Sequence, residues 1–142
     1  MSLIRLLMRV ALVAGVIAII GAGYDLYQRP RKVADLLHLT TLPLSVDVVA
    51  CDSPWVLTDV LLTCAVTLDA AQFPLLLKGY SYKTTLYSAS SREVAVAVPG
   101  IGPEFRVARI YTATPSSFTN GGAVTIYVNA AQTVALLDLY IE

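Results

Sequence analysis

Residues 44–68 read LSVDVVACDSPWVLTDVLLTCAVTL, and their reading decides the fold. Two runs rich in Val, Leu and Thr, at 44–51 and 60–68, flank a stretch with turn chemistry at Asp52–Pro54 and one large aromatic, Trp55. β-Branched residues with partial alternation, interrupted by Asp, Ser and Pro, are the signature of a β-hairpin. Both cysteines of the chain lie here, with twelve residues between Cys51 and Cys64. A zinc site needs more thiolates or imidazoles, and the chain offers only His38. A redox pair is usually Cys-x-x-Cys, which is absent. A structural disulfide between Cys51 and Cys64 is the expectation, given an oxidising compartment. The phases of the two strands do not match for a simple cross-strand bridge. Val46 and Val48 share one face and Cys51 the other, whereas Cys64 falls with Leu62, Val66 and Leu68 on the more apolar face of its strand. A bulge within VVAC reconciles them; otherwise the bond joins a strand to a loop.

Beyond this hairpin the same texture recurs. Strands are expected near 80–88, 93–98, 104–113, 122–128 and 133–141, about seven in all. PGIGP at 99–103 joins two of them, with prolines that exclude ladder pairing at both ends. Its Gly-x-Gly has no third glycine and no following helix, which excludes a dinucleotide loop. NGG at 120–122 is a turn before a strand. One helical insert, DAAQFPLLLKGY at 69–80, has Asp69 as an N-cap, Phe73, Leu76 and Leu77 on one face, and Gly79 as a stop. The fold class is therefore mainly β: a small antiparallel sheet or sandwich with one short helical insert.

Upstream lies MSLIRLLMRVALVAGVIAIIGAGYDLY, residues 1–27, the most apolar part of a chain that is 56% hydrophobic and 14% charged. Val10 to Tyr24 carries no charge, about 22 Å of helix, and starting at Leu6 adds a turn whose Arg9 can snorkel to headgroups. Tyr24 and Tyr27 fall where interfacial aromatics sit. Two readings compete, a cleaved signal peptide and an uncleaved signal anchor; the anchor is the expectation taken. Ala11, Gly15, Ala18 and Ala22 line one helix face and offer close backbone approach to another helix. RPRKVADLLHL is expected to form a short juxtamembrane helix that starts at Pro30. The chain thus divides into an anchor (1–28), a juxtamembrane helix and linker (29–43), and a β-rich extracytoplasmic domain (44–142).

Charge does not orient the span. Arg5 and Arg9 lie on one side, and Arg29, Arg31 and Lys32 on the other. The short N-terminal tail favours a cytoplasmic N-terminus, with the C-terminal domain in the periplasm and the span in the inner (cytoplasmic) membrane. Residues 33–142 carry five bases and nine acids, with no basic patch, so no nucleic-acid partner is expected. No catalytic residue, no cofactor-binding residue and no metal ligand is expected. His38 is read as structural, and Asp47, Asp52, Asp59 and Asp69 as caps, turns and a solvated face rather than a Ca²⁺ or catalytic cluster. The layout superficially resembles that of type IV pilins, but the processing glycine and the helix glutamate that follows it there are missing, so this resemblance implies nothing further.

The body's charge share is roughly half that of an ordinary soluble domain, which points to a covered surface, with 104–113 and 133–141 as the strands to carry it. The leading expectation is a non-enzymatic single-span membrane protein, an accessory or assembly subunit of a larger complex, respiratory or photosynthetic for example. Its partners would be the membrane and the integral subunits of that complex. The alternative is a membrane-anchored ligand-binding or sensory domain with a pocket lined by Tyr80, Tyr82, Tyr111 and Tyr127.

Overall fold

The computed structural model describes residues 3–54, 56–87, 96 and 99–142, with side chains in α1 from Leu7 onward. Trp55 and most of the strand expected at 93–98 lie outside the described residues. One long helix, one sheet and a few short helical turns make up the described residues. Helix α1 runs from Leu3 to Leu36, 34 residues. The sheet contains β1 (Asp47–Asp52), β2 (Val60–Thr67), β3 (Lys83–Leu86), β4 (Arg109–Ala113), β5 (Gly122–Val128) and β6 (Val134–Ile141). A 3-10 turn (Ala70–Gln72) runs into the short helix α2 (Phe73–Leu76) between β2 and β3. The mainly-β expectation holds, with six strands among the described residues.

The strands pair antiparallel in the order β1-β2-β6-β5-β4-β3. The C-terminal strand therefore fills the middle, between β2 and β5. This explains its sequence. Ala135 to Leu139 is buried without alternation, because both faces of a central strand are covered. On one face, Cys64, Val66, Tyr111, Val124, Ile126, Val128 and Leu137 form the main core with Val33 and Leu36 of α1, Leu37 just past its end, and Phe73 and Leu76 of α2. On the other face, Val107, Tyr127 and Leu136 form a smaller core that Phe105 and Ile101 help to cover.

The helical region departs from expectation in one respect. The anchor and the juxtamembrane helix are a single helix that passes through Pro30. Proline removes one N–H and leaves the carbonyl of residue 26 without its usual donor. Pro30 and Leu26 are both exposed, so that carbonyl can be met from outside the protein. The helix ends by design of its last residues. His38 adopts φ 54°, its N–H donates to the Asp35 carbonyl at 3.1 Å, and the Leu39 N–H donates to Ala34 at 2.8 Å. That is a Schellman cap, in which the left-handed position usually holds glycine.

The expected N-cap at Asp69 is occupied in backbone terms only. Its side chain makes no cap hydrogen bond, and its own N–H donates to the Ser45 hydroxyl at 3.1 Å. Gly79 has a different task from the helix stop foreseen for it. A Cβ there would lie 1.7 Å from the Leu37 carbonyl oxygen, so glycine lets the chain after α2 press against the end of α1.

Candidate functional site

The residues singled out by sequence gather around the root of α1 and the hairpin beside it. Cys51 and Cys64 are direct cross-strand neighbours, with Sγ atoms 2.05 Å apart, at disulfide distance, and Cα atoms 4.1 Å apart. The register explains how two mismatched phases meet. Val48 pairs with Val66 and Ala50 with Ala65, which leaves Val49 as the extra residue of a bulge. The bulge turns Cys51 to the face that carries Cys64 and Val66. Hairpin geometry and bulge both follow the reading of VVAC.

A bulge leaves backbone groups outside the ladder. The Val49 carbonyl accepts a hydrogen bond from Arg29 Nη1 at 3.1 Å. Arg29 Nε in turn donates to Asp25 Oδ2 at 3.0 Å, and Lys32 Nζ reaches Asp25 Oδ1 at 2.9 Å. The basic cluster that left the orientation undecided is thus partly committed to the fold: Arg29 ties α1 to the edge strand. Sequence reading counted Arg29 only as a charge. The signal for its role was the odd residue in VVAC, which implied an unpaired carbonyl in need of a donor.

Helix α1 is long and apolar enough to cross a membrane: within Leu7–Leu36 an 18-residue window has mean hydropathy 2.0 and no buried residue. Ala11, Gly15, Ala18 and Ala22 are all exposed, and the position of a Gly15 Cβ has no neighbour within 4 Å. The stripe is open, and among the described residues no other element covers it.

The four tyrosines do not line one pocket. Tyr111 pairs with Ile126 and Tyr127 with Ile110, so Tyr111 and Tyr127 stand on opposite faces of the sheet. Tyr111 packs on Phe73 in the main core, with ring centroids 5.4 Å apart. Tyr80 stacks on His38 at 5.5 Å and meets Tyr82 edge-on at 6.2 Å. Burial pushes the Tyr80 and Tyr82 hydroxyls up from their ordinary pKa, and the Tyr82 hydroxyl is buried with no hydrogen-bond partner among the described residues. Tyr127 is pushed up to about 12 by burial and by the nearby Asp138 carboxylate.

Asp138 is the polar group that sequence reading passed over. It sits in the middle of VALLDLYI, is 7% exposed, and accepts a 2.6 Å hydrogen bond from the Thr63 hydroxyl across the β2–β6 pair. A lone acid inside an apolar central strand was the available signal, since such a group is retained only with a partner. The other acids stay apart: Asp47, Asp52 and Asp69 are exposed, and no group of three or more potential metal ligands occurs among the described residues.

A cleft of about 410 Å³ lies between β1–β2 and the segment 100–105, lined by Ala65, Leu136, Phe105 and Pro103. Its size is within the range of small-molecule sites, but among the described residues its polar side chains are only Thr67 and Glu104, both exposed. The apolar surface is also not where it was expected. β6 is covered on both sides within the chain, and β4 buries Tyr111 and Ala113. Beyond α1, exposed large apolar residues concentrate instead at the β1–β2 hairpin, at Val49, Val56, Leu57 and Val60. No family model, no curated protein and no solved structure matches this chain.

Proposed function

We propose that this chain is a non-enzymatic, single-span subunit of a larger membrane assembly, with its β-rich domain on the periplasmic side of the inner membrane. The observation that carries the reading is the continuity of α1. One helix is apolar and uncovered over most of its length, yet its last turns are core, with Val33 and Leu37 fully buried. A simple tether needs only a flexible link. A span built into the domain core fixes the domain's position and rotation relative to the bilayer, which serves a part that must fit against neighbours. The cysteine pair supports an oxidising compartment. The placement of Tyr111 and Tyr127 on opposite faces favours this reading over a ligand-binding domain with a tyrosine-lined pocket.

On this reading Ala11, Gly15, Ala18 and Ala22 form the contact face for a neighbouring span. Isolation of the full chain in mild detergent, followed by mass spectrometry of the intact assembly, tests it. Gly15→Leu is expected to release the integral partners while membrane insertion persists, whereas Val16→Leu, off the stripe, retains them. Equal retention by both variants, or a chain that runs alone, would refute the subunit reading.

A further inference from the structure

The apolar tip of the β1–β2 hairpin keeps Val56 and Leu57 exposed among the described residues, and its place beside α1 indicates what covers it. Both elements start from the same region. Ser45, just before β1, donates from its N–H and its hydroxyl to Gln72 Oε1, at 3.1 and 3.0 Å, and the end of α1 meets Gly79 just beyond α2. They meet again at the bond from Arg29 to the Val49 carbonyl. From Leu37 back to Arg29 a helix advances about 12 Å at ~1.5 Å per residue. From Ser45 to Val49 a strand advances about 13 Å at ~3.3 Å per residue. The two advances agree, so β1 runs alongside α1 toward the membrane, in keeping with the packing of α1 along β1.

Past Arg29 the helix presents Tyr27 and then Tyr24, which ends its uncharged stretch. Past Val49 the strand goes on to Asp52, about 10 Å further, the advance of six or seven helical residues (roughly). Residues 53, 54 and 56–59 of the hairpin loop therefore stand at the level where α1 enters the hydrocarbon. Its composition fits that level. Asp52 and Asp59 flank the neck, while Val56 and Leu57 are 39% and 82% exposed at the tip. A strand-borne loop with apolar side chains at its end is suited to shallow insertion between headgroups and acyl chains, and the acids at its neck keep that insertion shallow.

We propose that the β1–β2 hairpin tip is a second membrane contact, inserted into the same leaflet that α1 enters from the domain side, so that the domain is held to the bilayer at two points. The inference rests on the membrane-spanning reading of α1. Its occupant is lipid, because the tip follows from the position of the span and not from any groove shaped for a protein.

The chain carries its own reporter, since its single tryptophan is Trp55, next in sequence to Val56. Full-length protein in lipid nanodiscs is compared with lipids brominated high on the acyl chain or near its end, and with aqueous iodide. Trp55 emission is expected to fall with the shallow bromines, less with the deep ones, and to resist iodide. Leu57→Asp, a change at an exposed position, should restore emission and admit iodide. A Trp55→Phe, Leu12→Trp variant reports the span separately and should be quenched by the deep bromines. If the span reporter is quenched while Trp55 responds to iodide alone, the hairpin proposal fails and the anchor stands. If Trp55 resists both bromine and iodide, a protein contact covers the tip and the lipid proposal fails. If the span reporter is not quenched, the anchor reading fails and this one with it.

Discussion

The two ends of α1 both carry large aliphatic side chains and meet opposite fates. Leu7 to Ile20 exposes nearly every side chain, whereas Val33, Ala34, Leu36 and Leu37 are the floor of the main core. The difference is in pattern. The first part, apart from Arg9, is apolar on all sides and interrupted only by small residues, so no single face is singled out for burial against a sheet. The second part places its apolar residues at 33, 36 and 37 and its charges at Arg31, Lys32 and Asp35, one stripe against one polar side. Hydrophobicity alone therefore does not say what a helix packs against. Its distribution around the axis does, and the Arg29–Asp25–Lys32 cluster marks where one regime gives way to the other.

The sharpest way to break this comparison is to remove the same side chain from each end. Leu37→Ala leaves a cavity under Leu76 and Phe73 and should destabilise the domain by about 2–5 kcal/mol. Leu12→Ala, at a residue 69% exposed, should leave unfolding of the domain within about 0.5 kcal/mol of the parent. Chemical denaturation of the full chain in micelles, followed by sheet circular dichroism, measures both. Equal effects would mean that the two ends are not different environments.

Next in size is the hairpin along which the helix packs. Oxidised Cys51 and Cys64 close a loop worth up to ~3 kcal/mol in the chain-entropy account. The double change to alanine should lower stability by about that amount, and intact mass should show no thiol to alkylate before reduction. Free thiols in the native protein would overturn the assignment. A smaller effect of opposite sign belongs to the cap that ends the buried part. His38→Gly relieves the left-handed backbone and should raise stability by less than about 1 kcal/mol, with loss of the Tyr80 stack offsetting part of the gain.

The last effect, a slope of stability with pH, vanishes at neutral pH and is seen only in alkali. Tyr127 titrates near 10 when unfolded and up to about 12 when folded, so the folded state holds its proton more tightly. Its stabilising contribution is complete below pH 10 and is lost as pH rises toward 12. Tyr127→Phe should flatten the decline of stability across that window, and a slope unchanged by the substitution would contradict the assignment.

Much of this fold was legible in the chain, and the parts that were not share a cause. The cysteine hairpin and its bulge could be read because alternation is a local property and VVAC broke it. The NGG turn could be read because its backbone demands glycine: Gly122 has φ 136° and faces the Tyr140 carbonyl too closely for a Cβ. Strand order could not be read. Only the insertion of β6 between β2 and β5 shows why VALLDLYI is apolar on both faces, and without it those residues looked like an exposed patch. The same holds for Pro30, whose usual role as a helix start was overridden by burial of Val33–Leu37 in a core assembled from distant strands.

The central claim is that span and core share one unbroken helix. Amide hydrogen exchange on the full chain in lipid nanodiscs, resolved by residue across 24–36, tests it directly. The account predicts slow exchange throughout that stretch, apart from Pro30, which has no N–H, with protection joining that of the span to that of the sheet. Fast exchange at residues 26–33, with the span and the sheet still protected on either side, would mean a hinge at the membrane surface and would contradict it.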